Sequence, residues 1–208
     1  MPGHVVLLGD SIFDNGVYVP GEPAVIEHLQ RLLPRDWQAT LLAVDGAVVE
    51  SVYRQLERMP TDATHLVLSV GGNNALRVAG GVLSAAARTV RDGLAEVGAA
   101  REEFQSEYRG LVNQLRGLRK NLALCTIYDA IPGLPSAEVA GLCLFNDVIT
   151  RAAIESKLTL IDLRTICNEV RDYSALSPIE PSASGGSKIA RAILDSFFDP
   201  TAGSHVIG

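Results

Sequence analysis

The sequence predicts a three-layer α/β/α fold around a five-stranded, mostly parallel sheet. Three observations lead there. Five short apolar runs rich in branched residues punctuate the chain, helix-period segments fill the intervals between them, and the runs are continuously apolar, as strands covered on both faces must be. The first strand is HVVLLG (4–9), followed by a helix over PAVIEHLQRLL (23–33) that Pro34 stops. The second, ATLLAV (39–44), precedes a helix over VVESVYRQLERM (48–59). The third, THLVLSVGG (64–72), leads to a long helical stretch over 82–119. Gly80, Gly81, Gly93 and Gly98 fall in or beside that stretch, and interior glycine costs about 1 kcal/mol against alanine, so a division into two helices is expected near Gly98. The fourth strand, LALCTIY (122–128), precedes a helix over SAEVAGLCLFNDVITRAAIES (136–156). The fifth, LTLIDL (158–163), leads to a closing helix, GSKIARAILDSFF (186–198).

Composition bounds the function. The 208 residues carry 18 Lys+Arg against 24 Asp+Glu, a net charge of −6, which argues against nucleic acid as a partner. With 47% hydrophobic and 20% charged residues the chain has the core material of one folded domain, 1–208, with 199–208 expected as a flexible tail. Cys125, Cys143 and Cys167 form no C-x-x-C pair and have no His at metal-ligand spacing, so reduced, mostly buried thiols are expected, with no metal. No cofactor fingerprint is present either: G-x-G-x-x-G and G-x-x-x-x-G-K-[ST] are both missing, which disfavours a nucleotide- or flavin-binding domain. The start, MPGHVVLLGDSIF, has no basic n-region or cleavage site, and no run approaches the roughly 20 apolar residues of a membrane span. A cytoplasmic protein with no membrane partner is the expectation.

In an open parallel sheet, ligands bind outside the carboxyl ends of the strands, where loops converge and helix N-termini present N–H groups. The loop after the first strand reads Gly9-Asp10-Ser11-Ile12-Phe13-Asp14-Asn15-Gly16; Asp45-Gly46 follows the second strand and Gly71-Gly72-Asn73-Asn74 the third. Ser11 can be an exposed nucleophile flanked by free N–H groups, or Ser11 and Asp10 can simply cap the turn. The Asn73 amide and the Gly46 N–H could join the Ser11 N–H in holding a developing oxyanion. Asp10 is expected to anchor its loop, Asp14 and Asn15 to cap a turn or orient a partner, and Asn74 to support the site from behind. Tyr18, Val19 and Pro20 are candidates for one wall of a pocket, and the AIPGLPS segment (130–136) for a cover over its mouth. Asp129 and Asp162, at strand ends, read as helix caps and are given no role.

These three blocks resemble those of the GDSL/SGNH hydrolases, a family of serine esterases and lipases. Gly9-Asp10-Ser11-Ile12 is similar to the family's first block, Gly46 to its second, and Gly71-Gly72-Asn73-Asn74 to its third, which usually ends Asn-Asp. The resemblance implies a flavodoxin-like fold, a nucleophilic Ser11, an oxyanion hole made by Ser11, Gly46 and Asn73, and ester hydrolysis through an acyl-serine intermediate.

The last block departs from the family's Asp-x-x-His-Pro. The aligned stretch is Ser177-Pro178-Ile179-Glu180-Pro181, so Glu180 stands at the His position and Ser177 at the Asp position. His4 and His65 begin strands at the far end of the sheet, His28 is mid-helix and His205 is in the tail; none is a good replacement. Two readings of Glu180 stay open. A carboxylate in a partly desolvated loop can be raised toward neutrality and serve as general base for Ser11, although an unshifted Glu is about two pKa units less basic than His. Alternatively, the site binds an ester or acetylated-sugar ligand without turning it over. Short loops and the lack of an added lid domain suggest a small substrate, either a short-chain acyl ester or an acetylated sugar.

Overall fold

A computed structural model describes residues 2–198; the expected tail, with His205, lies outside the described residues. Five strands, β1 (His4–Gly9), β2 (Gln38–Leu41), β3 (His65–Ser69), β4 (Asn121–Cys125) and β5 (Thr159–Ile161), form one sheet in the order β2-β1-β3-β4-β5. Every pairing is parallel, with Val6 opposite Thr40 on one side and Leu66 on the other. β1 is interior and fully buried, which is why its sequence is apolar without alternation; β2 is an edge strand and is only half-buried.

The helices are α1 (Val25–Leu32), α2 (Val49–Leu56), α3 (Gly72–Gly80), α4 (Val90–Gly117), α5 (Ser136–Ser156), the single turn α6 (Leu163–Ile166) and α7 (Ala183–Phe198). They build two cores on opposite faces of the sheet. One gathers Leu8, Leu66, Leu68 and Leu124 against Phe104, Tyr108, Leu111 and Phe145 of α4 and α5; the other gathers Leu7, Val67 and Cys125 against Val25, Leu29, Ile189 and Ile193 of α1 and α7.

Three expectations are corrected. The long helix does not divide at Gly98: α4 runs unbroken through Gly93 and Gly98. Thr89 caps its start by accepting the Asp92 N–H, and the burial of Val97, Phe104, Tyr108, Leu111 and Leu115 outweighs the backbone cost of the two glycines. Further, the Gly71-Gly72-Asn73-Asn74 segment is not only a loop, because α3 begins within it at Gly72. The last helix begins at Ala183, three residues earlier than its apolar period suggested, because Ser182 Oγ accepts the Gly185 N–H at 3.2 Å and caps it.

With this strand order the direction of winding reverses between β1 and β3, so the loops after those strands diverge and leave a crevice at the carboxyl edge. Ser11 follows β1 and Asn73 follows β3. The fold therefore places the first and third sequence blocks on the two sides of that crevice.

Candidate active site

The loop that carries Ser11 begins with a close approach that only glycine permits. Gly9 has φ of +128°, and a Cβ there would overlap the Ser69 carbonyl of β3. The Gly9 backbone is also held from the side: Gln55 of α2, buried, accepts its N–H at 2.9 Å and donates to its carbonyl at 2.7 Å. Asn146 of α5 does the same for Ile127 after β4, at 2.8 Å in both directions. Neither amide announces itself in sequence, since a polar residue within a helix ordinarily faces solvent. Both fix strand ends from which site loops depart.

Asp10 and Ser11 are buried, as is Glu180, at 4% exposure. Asp10 Oδ1 accepts the Ile12 N–H at 3.2 Å and so anchors its loop as expected. Burial in apolar surroundings, opposed by that hydrogen bond and reinforced by the Glu180 charge, pushes the Asp10 carboxyl up to about 7.

Glu180 is clamped by its neighbours. Tyr128 donates to the Ile179 carbonyl at 2.6 Å, the fully buried Asn15 donates to the Pro181 carbonyl at 3.0 Å, and the Glu180 carbonyl itself accepts the Ser174 N–H at 2.9 Å. The Oδ1 of Asn15 accepts the Val25 N–H at 3.0 Å, so this one residue joins the first block, the last block and α1. Its role is thus a tie across the site rather than a local cap. Burial raises the Glu180 carboxyl above the usual glutamate range, while the nearby Ser177 and Ser11 hydroxyls favour its charged form. Its Oε2 is nonetheless buried with no hydrogen-bond partner.

Asn73, in the first turn of α3, donates from Nδ2 to the Ala47 carbonyl at 3.0 Å, which fixes the amide and leaves its second N–H hydrogen to spare. Gly46 sits at φ of +76° in the turn after β2, where an added side chain would meet open space, so the backbone conformation is what calls for glycine. Among the described residues, neither the Ser11 N–H nor the Gly46 N–H has a hydrogen-bond partner. Asp14 does not cap its own turn: its Oδ2 accepts the Asp45 N–H at 2.9 Å, tying the turn that carries Gly46 to the loop that carries Ser11. Asn74 accepts the Val49 N–H at 3.2 Å and so caps α2.

Asp10, Ser11, Asn73 and Glu180 all line one cavity whose empty space, counting that open to solvent at its mouth, is about 760 Å³. Among the described residues, no Lys, Arg or His lines it. Gly46 does not line it: Gly46 and Ala47 line a separate groove, joined to Asn73 by the hydrogen bond that the Ala47 carbonyl accepts. Ile131 and Leu134 of the 130–136 segment line the cavity, as expected, but Tyr18, Val19 and Pro20 do not. The Tyr18 hydroxyl is turned to Asp45 instead, at 2.8 Å. Asp162 caps α6, accepting the Arg164 N–H. Cys125 and Cys167 are buried and Cys143 is exposed. His4 and His65 lie at the amino end of the sheet, remote from this edge. Among the described residues, no helix is long and apolar enough to cross a membrane.

Comparison with known proteins agrees with this fold. The model of the GDSL-like lipase/acylhydrolase family matches residues 7–185. Among solved structures, an extracellular lipase from Streptomyces rimosus superposes with a TM-score of 0.69 at 16% identity, over 93% of this chain and 99% of that one. An acetylxylan esterase from Geobacillus stearothermophilus, solved as a catalytic mutant, gives 0.68 at 18% identity over 99% of each chain. A psychrotrophic esterase from Pseudoalteromonas sp. gives 0.64 at 16% identity over 94% and 96%. At such identities the likeness is one of fold. Comparison with curated protein sequences gives no match.

Proposed function

The chain belongs to the GDSL-like lipase/acylhydrolase family, and from that premise we propose that it is a serine ester hydrolase in which Glu180 does the work of the family's histidine. The observation that carries this reading is a buried carboxylate with an unpartnered oxygen, clamped on both sides by backbone anchors and lining the same cavity as Ser11. Desolvation strengthens it as a base, because the charged form is disfavoured and gains by taking a proton.

In the reaction, Ser11 Oγ attacks the ester carbonyl carbon as its proton passes to Glu180. The carbonyl π electrons move onto oxygen, and that oxyanion is held by the Ser11 and Gly46 N–H groups and the spare hydrogen of the Asn73 amide. The intermediate collapses by breaking the bond to the alcohol oxygen, which leaves with the proton from Glu180. Water then attacks the acyl-serine, gives a proton to Glu180, and the second collapse returns that proton to Ser11 Oγ and frees the acid. The participants are a small-molecule ester and water, with no cofactor.

Hydrolysis of p-nitrophenyl acetate tests the reading. Ser11→Ala should fall to the uncatalysed rate, and Glu180→Gln should lose about 10²–10⁴-fold in kcat, the usual worth of a general base. Wild type no faster than Ser11→Ala, with an ester still bound, would mark a binding protein on the same scaffold.

A further inference from the structure

The cavity beside Ser11 is more apolar than an acetyl group requires. Of the 21 residues that line it, 14 have aliphatic or aromatic side chains, 12 of them drawn from α3, the 82–84 turn, α4, the loop after β4 and α5, with Ile12 and Ile179 beside the polar residues. Leu76, Val78, Leu83, Leu134, Leu142 and Phe145 form much of the wall away from Ser11 and Glu180. One lining position gives up side-chain volume inside a helix. Gly141 lies in the interior of the 21-residue α5, where glycine is a poor choice, and a Cβ there would meet Leu83 Cδ1 at an ordinary 3.7 Å. Neither strain nor a backbone clash calls for glycine at 141; what it provides is room in the cavity.

We propose that this cavity receives the acyl chain of the substrate, that the preferred esters carry linear alkyl acyl groups of about four to eight carbons rather than acetyl, and that Gly141 sets how long a chain fits. The inference rests on the ester-hydrolase reading and adds its substrate class. The acyl group is the part that stays bonded to Ser11 between the two half-reactions, so it is the part that gains from a recessed apolar site, whereas the alcohol must leave. Glu138 is the polar exception: its Oε2 is buried and unpartnered in the same wall. It lies in the first turn of α5, where the N-terminal end of the helix favours a negative charge without any ligand.

The test is a series of p-nitrophenyl acetate, butyrate and octanoate on wild type, Gly141→Ala and Gly141→Leu. Each buried methylene is worth about fourfold in kcat/KM, so octanoate should exceed acetate by at least about sixtyfold even if only three methylenes are enclosed. Gly141→Leu should cut that ratio at least about tenfold and Gly141→Ala by less, with thermal melting confirming that each variant is folded. Measurable hydrolysis of all three esters at equal kcat/KM would overturn the chain-length inference and leave the hydrolase reading standing. If no ester turns over, the hydrolase reading fails, and binding of octanamide against acetamide by calorimetry decides the cavity. Octanamide binding at least tenfold tighter, lost in Gly141→Leu, upholds the alkyl site, and equal binding overturns it. Displacement of octanamide by hexyltrimethylammonium at lower concentration than by octanamide itself would also overturn it, reassigning the cavity to a cation facing Glu138.

Discussion

The two ends of the sheet carry the same kinds of polar side chain in opposite states. At the amino end, the Thr40 hydroxyl is 2.7 Å from His4 Nε2, and His4 Nδ1 is 3.0 Å from Asp62 Oδ1, whose other oxygen accepts from Gln38 at 2.8 Å. Hydroxyl, imidazole and carboxylate are joined in the order of a hydrolytic triad. Yet the ring is buried, both of its nitrogens are engaged by the chain itself, and none of these residues lines the cavity. At the carboxyl end, among the described residues, no imidazole lines the cavity, but Glu180 Oε2 and Glu138 Oε2 are buried without partners and Asp10 is held well above its ordinary range. A satisfied network spends its hydrogen bonds on joining β1 to β2 and to the loop before β3. An unsatisfied one, open to a cavity, keeps them for a ligand.

Substitutions can break this contrast. The largest effect should come from Glu180→Gln, as given above. Next is Asn73→Ala, which removes one oxyanion donor and should cost about 10²-fold in kcat with a smaller change in KM; steady-state kinetics on one ester separates the two parameters. An undiminished kcat would remove Asn73 from the oxyanion hole.

Asp10 sharpens the contrast through pH. Activity should rise as Glu180 loses its proton and fall again as Asp10 ionises around pH 7, because a second negative charge beside Ser11 opposes the oxyanion. The charges bearing on Asp10 are those of Glu180 and, more weakly, Asp45. Asp10→Asn keeps the acceptor for Ile12 N–H and should flatten the alkaline limb; a limb unchanged in that variant would assign it to another group. Stability follows the same group. A carboxyl whose folded pKa is raised above its ordinary 3.8 makes the fold most stable below that value, and stability is lost as pH climbs through about 7. Asp10→Asn should therefore unfold later than wild type at pH 8, by on the order of 1–3 kcal/mol, and show little difference at pH 4. Thermal or urea melts at the two pH values check both sign and window.

The smallest effect on catalysis should come from the amino end. His4→Ala should leave kcat/KM within about threefold while costing about 1–3 kcal/mol of stability, since Thr40 loses its buried partner. A loss of activity in that variant at full folding would show that the Thr40–His4–Asp62 chain is more than a structural tie.

How much of this was legible before any coordinates depended on the range over which each feature is written. The five strands could be read because burial on both faces leaves an unbroken apolar run, and the Gly-Asp-Ser and Gly-Gly-Asn blocks because their chemistry lies within a few neighbouring residues. The continuity of α4 across Gly98 was not legible, since it depends on what Phe104, Tyr108 and Leu111 pack against rather than on local propensity. Gln55, Asn146 and Asn15 were missed or misread for the same reason: each satisfies backbone groups distant in sequence, and Asn15 reaches across 166 positions to Pro181. The apolar cavity was likewise invisible, because its walls come from segments that no single window of sequence contains, and the expectation of a small substrate, a short-chain acyl ester or an acetylated sugar, came from short loops and the lack of an added lid domain.

The account turns on whether Glu180 takes the Ser11 proton. The most direct measurement is the pH dependence of the Ser11 acylation rate, followed as the pre-steady-state burst of p-nitrophenol, in wild type and Glu180→Gln. The predicted result is a wild-type rate that climbs with pH through a raised glutamate pKa, and a Glu180→Gln rate at least about a hundredfold lower that has lost this rising limb. An unchanged burst rate with the same rising limb in Glu180→Gln would contradict it.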